Sequence, residues 1–190
     1  MYTKVEEALY FMIKANRGLK IKSDNVDRSF HPIGVYMIIR EITDTEDVLI
    51  SALLHDTINY TDYGYEDIEE RFGTLVADMV SDLSEDLSIA KWFERKKDYI
   101  KRLKRNNDPN VIDVMIADKI HNLLMLYDSF DKNGDKVWKN TGGSRDENCF
   151  VFREIYNIGK SKHANFKLME RYKDLIIHFF GGVDEQEDNI

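Results

Sequence analysis

Apolar residues recur three and four positions apart over most of this chain, which is the period of an α-helix rather than of a β-strand. Only two prolines, Pro32 and Pro109, interrupt this pattern in 190 residues. Proline is tolerated in the first turn of a helix and disrupts its interior, so a chain with so few prolines can form long helices. We therefore predict an all-α fold, a single compact helical bundle.

The composition is that of a single globular domain, because 43% hydrophobic residues in 190 can bury one substantial core. No apolar run approaches the roughly 20 residues that cross a bilayer, and the N-terminus lacks the pattern of a secretory signal. The only cysteine, Cys149, cannot form an internal disulfide or a thiolate metal site. We expect a cytoplasmic protein with no membrane association.

The helical pattern also predicts where the elements lie. The segment 46–58 is apolar on nearly every face, so it should form a central helix. The segment 131–147 contains Gly134, Gly142 and Gly143 and is predicted to be a loop. Further helices are predicted over 5–13, 64–72, 90–105, 151–159 and 164–180. Others are predicted to begin just after Pro32, at a cap formed by Thr74, and at Asn107-Asp108-Pro109.

Four residues in this pattern are typical metal ligands: His31, the pair His55-Asp56, and Asp118. Two imidazoles and two carboxylates can fill four positions of a six-coordinate ion such as Mn²⁺ or Fe²⁺. The two remaining positions can take water and a substrate oxygen. A site of this kind hydrolyses phosphate esters or anhydrides, so the pattern indicates phosphate chemistry between the central helices.

The positions of these residues along the helices support the same interpretation. Asp118 interrupts an apolar stripe, and burying an unpaired carboxylate costs several kcal/mol, so a metal ion or a basic neighbour must compensate it. His31 lies at a helix entrance, and His55 and Asp56 lie at the end of the central helix. Those two consecutive side chains can both reach one ion if the last turn loosens. His121 is expected to be structural or on the surface.

The net charge of -8 and pI of about 5.2 argue against a broad nucleic-acid-binding face, which needs many Lys and Arg contacts to phosphates. The basic residues are nevertheless clustered, before His31 and in the segment 95–105. Two local positive patches on an acidic protein suit a small phosphorylated nucleotide better than a polymer, although solvated helix faces are the alternative. The sequence leaves the oligomeric state open.

The order His-Pro, Leu-Leu-His-Asp-Thr, Phe-Gly and Ala-Asp-Lys-Ile-His-Asn resembles the HD-domain metal-dependent phosphohydrolases, especially the small alarmone hydrolases related to the Rel/SpoT hydrolase domain. The resemblance implies an HD-type domain over residues 1–180. Residues 181–190, which begin with two glycines and are acidic, are predicted to form a frayed tail. The resemblance further implies one Mn²⁺, with Fe²⁺ or Zn²⁺ as alternatives, held by the four residues named above. The implied reaction is removal of pyrophosphate from the 3′ position of (p)ppGpp, and animal members are also described as NADPH phosphatases.

The resemblance also suggests which residues contact the substrate. Ile21 falls where many members have an arginine that stacks on guanine, which weakens the expectation of a guanine base. The expected substrate-binding residues are Arg17, Lys20, Lys22, Arg95, Lys96 and Asn122.

One departure concerns catalysis itself. The family places a Glu-Asp pair three and four residues after the aspartate of the metal pair, where this chain has Asn59 and Tyr60. An amide accepts no proton at neutral pH, and a phenol of pKa near 10 is a poor base. Asn59 is expected to orient the attacking water, and Asp62, or alternatively Glu66 or Asp67, to substitute as the acid. Metal-bound hydroxide without a separate base is a further alternative. Besides a hydrolase, the sequence therefore allows a catalytically weakened nucleotide-binding homologue, or a nucleotidase or NADPH phosphatase with altered base specificity.

Overall fold

The computed structural model describes residues 2–21 and 25–183. Within these ranges the chain forms helices and no strand, apart from one isolated bridge between Lys20 and Asp27. The all-α prediction is confirmed. None of the helices in the described ranges is long and apolar enough to cross a bilayer. The helices are α1 (Lys4–Ala15), α2 (Phe30–Arg40), α3 (Glu46–Leu54), α4 (Thr57–Tyr60), α5 (Tyr65–Phe72), α6 (Thr74–Leu83), α7 (Trp92–Arg105), α8 (Pro109–Asn133), a 3₁₀ turn (Gly134–Val137), α9 (Trp138–Thr141), α10 (Arg145–Ser161) and α11 (Phe166–Phe180).

The helix ends follow local side-chain chemistry. Asp108 caps α8 by accepting a hydrogen bond from the backbone N–H of Asn110, and Pro109 takes the first helical position, as predicted. The prediction that Thr74 caps α6 is wrong: Gly73, with a φ of 89°, precedes the helix, and the Thr74 hydroxyl donates to Glu69 instead. The glycine makes the reversal between α5 and α6 without steric strain.

The predicted loop over 131–147 is also wrong for most of its length. α8 continues to Asn133, and a 3₁₀ turn and the short helix α9 follow before α10 begins at Arg145. Gly134 and Gly142 have positive φ angles of 57° and 87°, so they mark helix ends where the chain turns. Of the predicted tail over 181–190, residues 184–190 lie outside the described residues, and Gly181 ends α11 in the left-handed conformation.

The central position predicted for the helix after Glu46 is confirmed. Every residue of α3 from Val48 to Leu54 is buried. Val48, Leu49 and Ala52 pack with one apolar core, around α8, α10 and α11, whereas Ile50, Leu53 and Leu54 pack with a second core beside α1, α5 and α6. The helix ends at Leu54 rather than Ile58, and the chain makes a new start at α4. This break corresponds to the loosened last turn that the sequence predicts. It places His55 and Asp56 between α3 and α4.

Helices α2 and α8 approach closely where Gly34 lies against the ring of His121. A Cβ added to Gly34 would lie 1.9 Å from His121 Nε2, far inside van der Waals contact. The absence of a side chain at Gly34 therefore lets α2 approach α8 and brings His31 towards Asp118.

Replacing Gly34 with alanine should destabilise the protein, because the new methyl group forces His121 or a helix to move. Overpacking of this kind typically costs about 1–3 kcal/mol, measurable as a lower free energy of unfolding in urea. Gly64→Ala is the control, since its nearest neighbour would be Glu66 Oε2 at 3.5 Å, an ordinary contact. Equal stability of the Gly34 variant and wild type would contradict this account of the packing.

Candidate metal centre and pocket

Three separate parts of the fold bring potential metal ligands together. α2 carries His31, the break after α3 carries His55, and α8 carries Asp118; all three are buried. His31 Nε2 lies 3.2 Å from His55 Nε2 and 3.0 Å from Asp118 Oδ1, and His55 Nε2 lies 3.7 Å from the same oxygen. Within the described ranges these three residues form a cluster that could hold a metal ion.

The geometry of the cluster fits a small divalent cation. Metal bonds of about 2.0–2.2 Å place neighbouring ligand atoms about 3 to 3.6 Å apart, close to the observed separations. The His55 Nδ1 atom lies 2.9 Å from the backbone carbonyl of Ala52, which can only accept, so Nδ1 carries the proton. The lone pair on His55 Nε2 therefore faces the cluster, as metal binding requires.

Asp56 lies at the edge of this cluster. Its Oδ1 is 3.5 Å from His55 Nε2, and its Oδ2 is 3.9 Å from His31 Nε2. Oδ2 also accepts a hydrogen bond of 3.1 Å from the Arg28 guanidinium. Burial opposes ionisation of Asp56, but the neighbouring imidazoles and Arg28 outweigh it and lower the carboxyl pKa. Asp56 is thus placed and charged to serve as a fourth ligand, which remains a prediction.

Asp118 is stabilised as an anion by its own helix. Lys119 donates to Oδ2 and Asn122 donates to Oδ1. Burial alone would raise the pKa of Asp118, yet the Lys119 ammonium holds that pKa well below its usual range. Burial likewise opposes the charge of Lys119, but Asp118 outweighs it and raises the Lys119 pKa. The basic neighbour that the sequence required for a buried carboxylate is therefore Lys119.

His121 is buried and supports the cluster from behind rather than lying on the surface. Its Nδ1 is 2.9 Å from Nδ1 of His31, and Phe30 packs against its ring. Burial, and then the His31 imidazole, lower the pKa of His121 to about 4, so it is neutral at pH 7. A neutral His121 can accept the Nδ1 proton of His31, which leaves His31 Nε2 free to bind a metal.

The cluster opens onto a cavity of about 610 Å³, within the range of small-molecule sites. Its charge is opposite to that of the whole protein, whose net charge is -8. The acidic residues on the described wall are Asp56, Glu85 and Asp118. The basic residues on the same wall are Lys20, Arg28, Arg95, Lys96 and Lys119. The cavity is therefore positively charged before any metal is counted.

The structure brings most of the predicted substrate-binding residues to this cavity. Lys20, Arg95, Lys96 and Asn122 line it, as does Ile21 at the position where a stacking arginine was expected. Arg17 does not: it is exposed in the turn that ends α1, before the chain reaches the cavity at Leu19. Lys22 lies outside the described residues.

Asn59 lines the cavity and has a structural contact there, while its predicted role of orienting a water stays a prediction. Its Nδ2 donates to the backbone carbonyl of Glu85 at 2.9 Å, and its Oδ1 accepts from the Glu85 N–H at 2.8 Å. The Glu85 carboxylate in turn binds Arg95 at 2.9 Å and also Lys96. Burial opposes the charge on Glu85, but Lys96 outweighs it and lowers the carboxyl pKa. Asn59 thereby positions Glu85, which holds two cations on the cavity wall.

Tyr60, and not Asp62, faces the cavity after the metal pair. Residues 56, 59 and 60 share one face because they are three and four positions apart in a helical turn. Burial on the concave wall, and then the Asp56 charge, raise the pKa of Tyr60 to about 12, so it is no base at neutral pH. Asp62 is exposed in the turn beyond α4 and does not line the cavity, so this geometry gives no support to its expected role as the acid, which stays a prediction.

Sequence reasoning missed Arg28 and Glu85. Arg28 contacts Asp56 across 28 positions, and Glu85 contacts Asn59 across 26. Neither belongs to a recognisable motif, and both are ordinary charged residues in irregular segments. No signal in the local sequence identifies them.

Replacing Asn59 with alanine should destabilise the protein, because it removes both side-chain partners of the Glu85 backbone. Leaving partly buried polar groups unpaired costs about 1–3 kcal/mol, seen as a lower free energy of unfolding. Asn133→Ala serves as the comparison, since the Asn133 amide donates only to Ser129 within its own helix. A smaller loss for Asn59→Ala than for Asn133→Ala would refute the structural role.

Comparisons with known proteins agree with this site. A guanosine-3′,5′-bis(diphosphate) 3′-pyrophosphohydrolase of Aquifex aeolicus is 31% identical over 133 residues, which cover 70% of this chain and 19% of the relative. The Danio rerio enzyme of the same name, MESH1, is 40% identical over 99 residues, 50% of this chain and 53% of the relative. The chain thus spans about half or less of the length of these relatives.

A solved structure described as a metazoan orthologue of SpoT that hydrolyses ppGpp is similar along nearly the whole chain. It aligns with a TM-score of 0.75 at 26% identity, covering 94% of this chain and 96% of that one. The HD-domain family model matches residues 8–142, a range that includes His31, His55, Asp56 and Asp118. With that model extending over most of its length, the chain belongs to the HD-domain family.

Proposed function

We propose that this protein is a metal-dependent phosphohydrolase that removes pyrophosphate from the 3′ position of (p)ppGpp. The observation that carries the proposal is a buried His and Asp cluster at the wall of a positively charged cavity in an otherwise acidic protein. The relatives named as 3′-pyrophosphohydrolases and the ppGpp-hydrolysing structure supply the substrate.

The residues that would hold the metal are His31, His55, Asp118 and, at the edge, Asp56. We propose Mn²⁺, with Fe²⁺ or Zn²⁺ as alternatives, because the ligands are imidazoles and carboxylates without a thiolate. When bound, a divalent ion supplies a Lewis acid for the phosphate and the attacking water. His121 keeps the His31 ring in its binding orientation, and the Ala52 carbonyl does the same for His55.

The basic wall binds the phosphates. Five cations face three carboxylates along the described cavity lining, so a highly anionic ligand is attracted even though the whole chain is acidic. Glu85 limits the movement of Arg95 and Lys96 and keeps both cations on the wall. Because one carboxylate pairs with two cations, this part of the wall keeps a net positive charge. This preorganisation lowers the cost of ordering the side chains when the substrate binds.

No carboxylate on the described wall is free to act as a separate base. Asp56 and Asp118 belong to the metal cluster, and the cations beside Glu85 lower its pKa. Positioned general bases typically contribute about 10²–10⁴-fold to a rate, so we expect turnover to depend mainly on the metal and the cationic wall. A nucleotide binder without turnover is not favoured, because the relatives and the solved structure reported above are described as enzymes.

The direct test is to load the protein with Mn²⁺ and incubate it with ppGpp, NADPH and a panel of nucleoside mono-, di- and triphosphates. We expect ppGpp to be cleaved to GDP and pyrophosphate, with a higher kcat/KM than the other compounds. Preference for NADPH or a monophosphate would instead support a phosphatase with altered base specificity. Tight ppGpp binding without product would contradict the proposal and support the binder.

His55→Gln should lose both the metal and at least 100-fold in activity, because an amide is a weaker ligand than an imidazole and the site depends on few ligands. Metal content by mass spectrometry and phosphate release would be measured on the same sample, with circular dichroism to check the fold. The matched control is His178→Gln, since His178 packs against Tyr127 away from the cavity. Undiminished activity of the His55 variant, with or without bound metal, would contradict the proposed metal site.

A further inference from the structure

Arg28 occupies an unusual position beside the candidate metal centre. It lies in the turn before α2, and its guanidinium reaches Asp56 Oδ2 at 3.1 Å on the cavity wall. Its central carbon lies 3.3 Å from the centroid of the Tyr60 ring, so the guanidinium packs directly over the ring. Asp56, the proposed fourth ligand, and the ring of Tyr60 therefore fix one arginine at the mouth of the cluster.

The stacking on Tyr60 determines which atoms of Arg28 can bind a ligand. An arginine packed over an aromatic ring keeps the edges of its planar guanidinium open, and its N–H donors lie in that plane. Asp56 accepts from one terminal nitrogen. The Nε atom is buried and has no hydrogen-bond partner among the described residues. A buried donor without an acceptor is costly, which indicates that an acceptor from outside the chain belongs here.

The charged groups around Arg28 indicate that this acceptor is an anion. The Arg28 guanidinium is a cation, and Asp56 is the carboxylate that pairs with it in the described structure. Asp56 also faces the metal cluster, so its single negative charge is shared and does not fully neutralise Arg28. Lys119 pairs with Asp118 on the other side of the cluster. An anionic oxygen beside the cluster would therefore meet a cation on each flank.

We propose that Arg28, held in place by the face of Tyr60, binds an oxygen of the substrate's pyrophosphate group beside the metal centre. This inference rests on the proposed function for the identity of the substrate. Tyr60 is a positioning residue that acts through Arg28. Its ring is what matters, and its hydroxyl is not needed.

The test measures binding separately from turnover. Pyrophosphate, the proposed product, is titrated calorimetrically into Mn²⁺-loaded wild type and variants whose metal content is measured in parallel. Arg28→Gln should retain the metal and bind pyrophosphate about 10- to 100-fold more weakly, the usual loss for a hydrogen bond to a charged group. With ppGpp, the same variant should raise KM more than it lowers kcat.

Further variants separate stacking from charge. Tyr60→Phe should bind pyrophosphate like wild type, and Tyr60→Leu should bind it several-fold more weakly. Arg28→Lys keeps the charge but lacks the planar fork, so it should also bind several-fold more weakly, and it serves as the test if the glutamine variant does not fold. The matched control is Arg71→Gln, which removes an arginine packed over Phe11, away from the cavity, and should change nothing.

Two results would overturn the inference. Unchanged pyrophosphate affinity in Arg28→Gln or Arg28→Lys at full metal occupancy would mean that Arg28 contacts no phosphate. Loss of the metal from both variants would mean that Arg28 only holds Asp56. Failure of wild type to cleave ppGpp would overturn the proposed function separately, because pyrophosphate binding is measured without turnover.

Discussion

Inside the protein, three hydrogen-bond acceptors from distant parts of the chain face one another: Nε2 of His31, Nε2 of His55 and a carboxylate oxygen of Asp118. Without a proton or a cation between them, this arrangement is repulsive in a buried environment. The neighbouring structure keeps it in place. Gly34 lets α2 approach α8, and the break after α3 turns His55 towards the cluster. The fold is therefore organised around a position for a cation.

The groups that hydrogen-bond to these three residues from behind determine which of their atoms face the cation position. The Ala52 carbonyl holds the proton of His55 on Nδ1, and His121 can do the same for His31 by accepting its Nδ1 proton. Lys119 keeps Asp118 ionised despite burial. Each candidate ligand thus has one partner that orients it or stabilises its charge, and these partners come from the backbone or from α8 itself. A single helix, α8, supplies a candidate ligand, its counter-ion and the support for a second candidate ligand.

The sequence predicted the parts of this site that local patterns encode. Asp118 was identifiable because a carboxylate in an apolar stripe requires a partner, and the apolar helix before His55 indicated a central position. The loop predicted over 131–147 was wrong because Gly134 and Gly142 each mark the end of a helix, and composition alone does not distinguish a helix end from a loop. Arg28 and Glu85 were missed since their roles depend on contacts across more than 25 positions. Such contacts arise from the packing of whole helices, which a periodic pattern does not specify.

The missing acidic pair changes the electrostatics of the site as well as its proton transfer. Where an acidic residue after Asp56 would add negative charge, Tyr60 adds a neutral ring with a raised pKa, and Arg28 stacks on it. Asn59, beside it, uses its amide to bind the Glu85 backbone. Both substitutions therefore leave the cavity more positive than an acidic pair would. A cavity that gains cationic character holds an anionic substrate more strongly, because Coulomb attraction is less screened in a concave, partly desolvated site. Under the proposed function, the residues that remove a base would therefore strengthen phosphate binding, and the site would stay suited to a pyrophosphate group without the acidic pair.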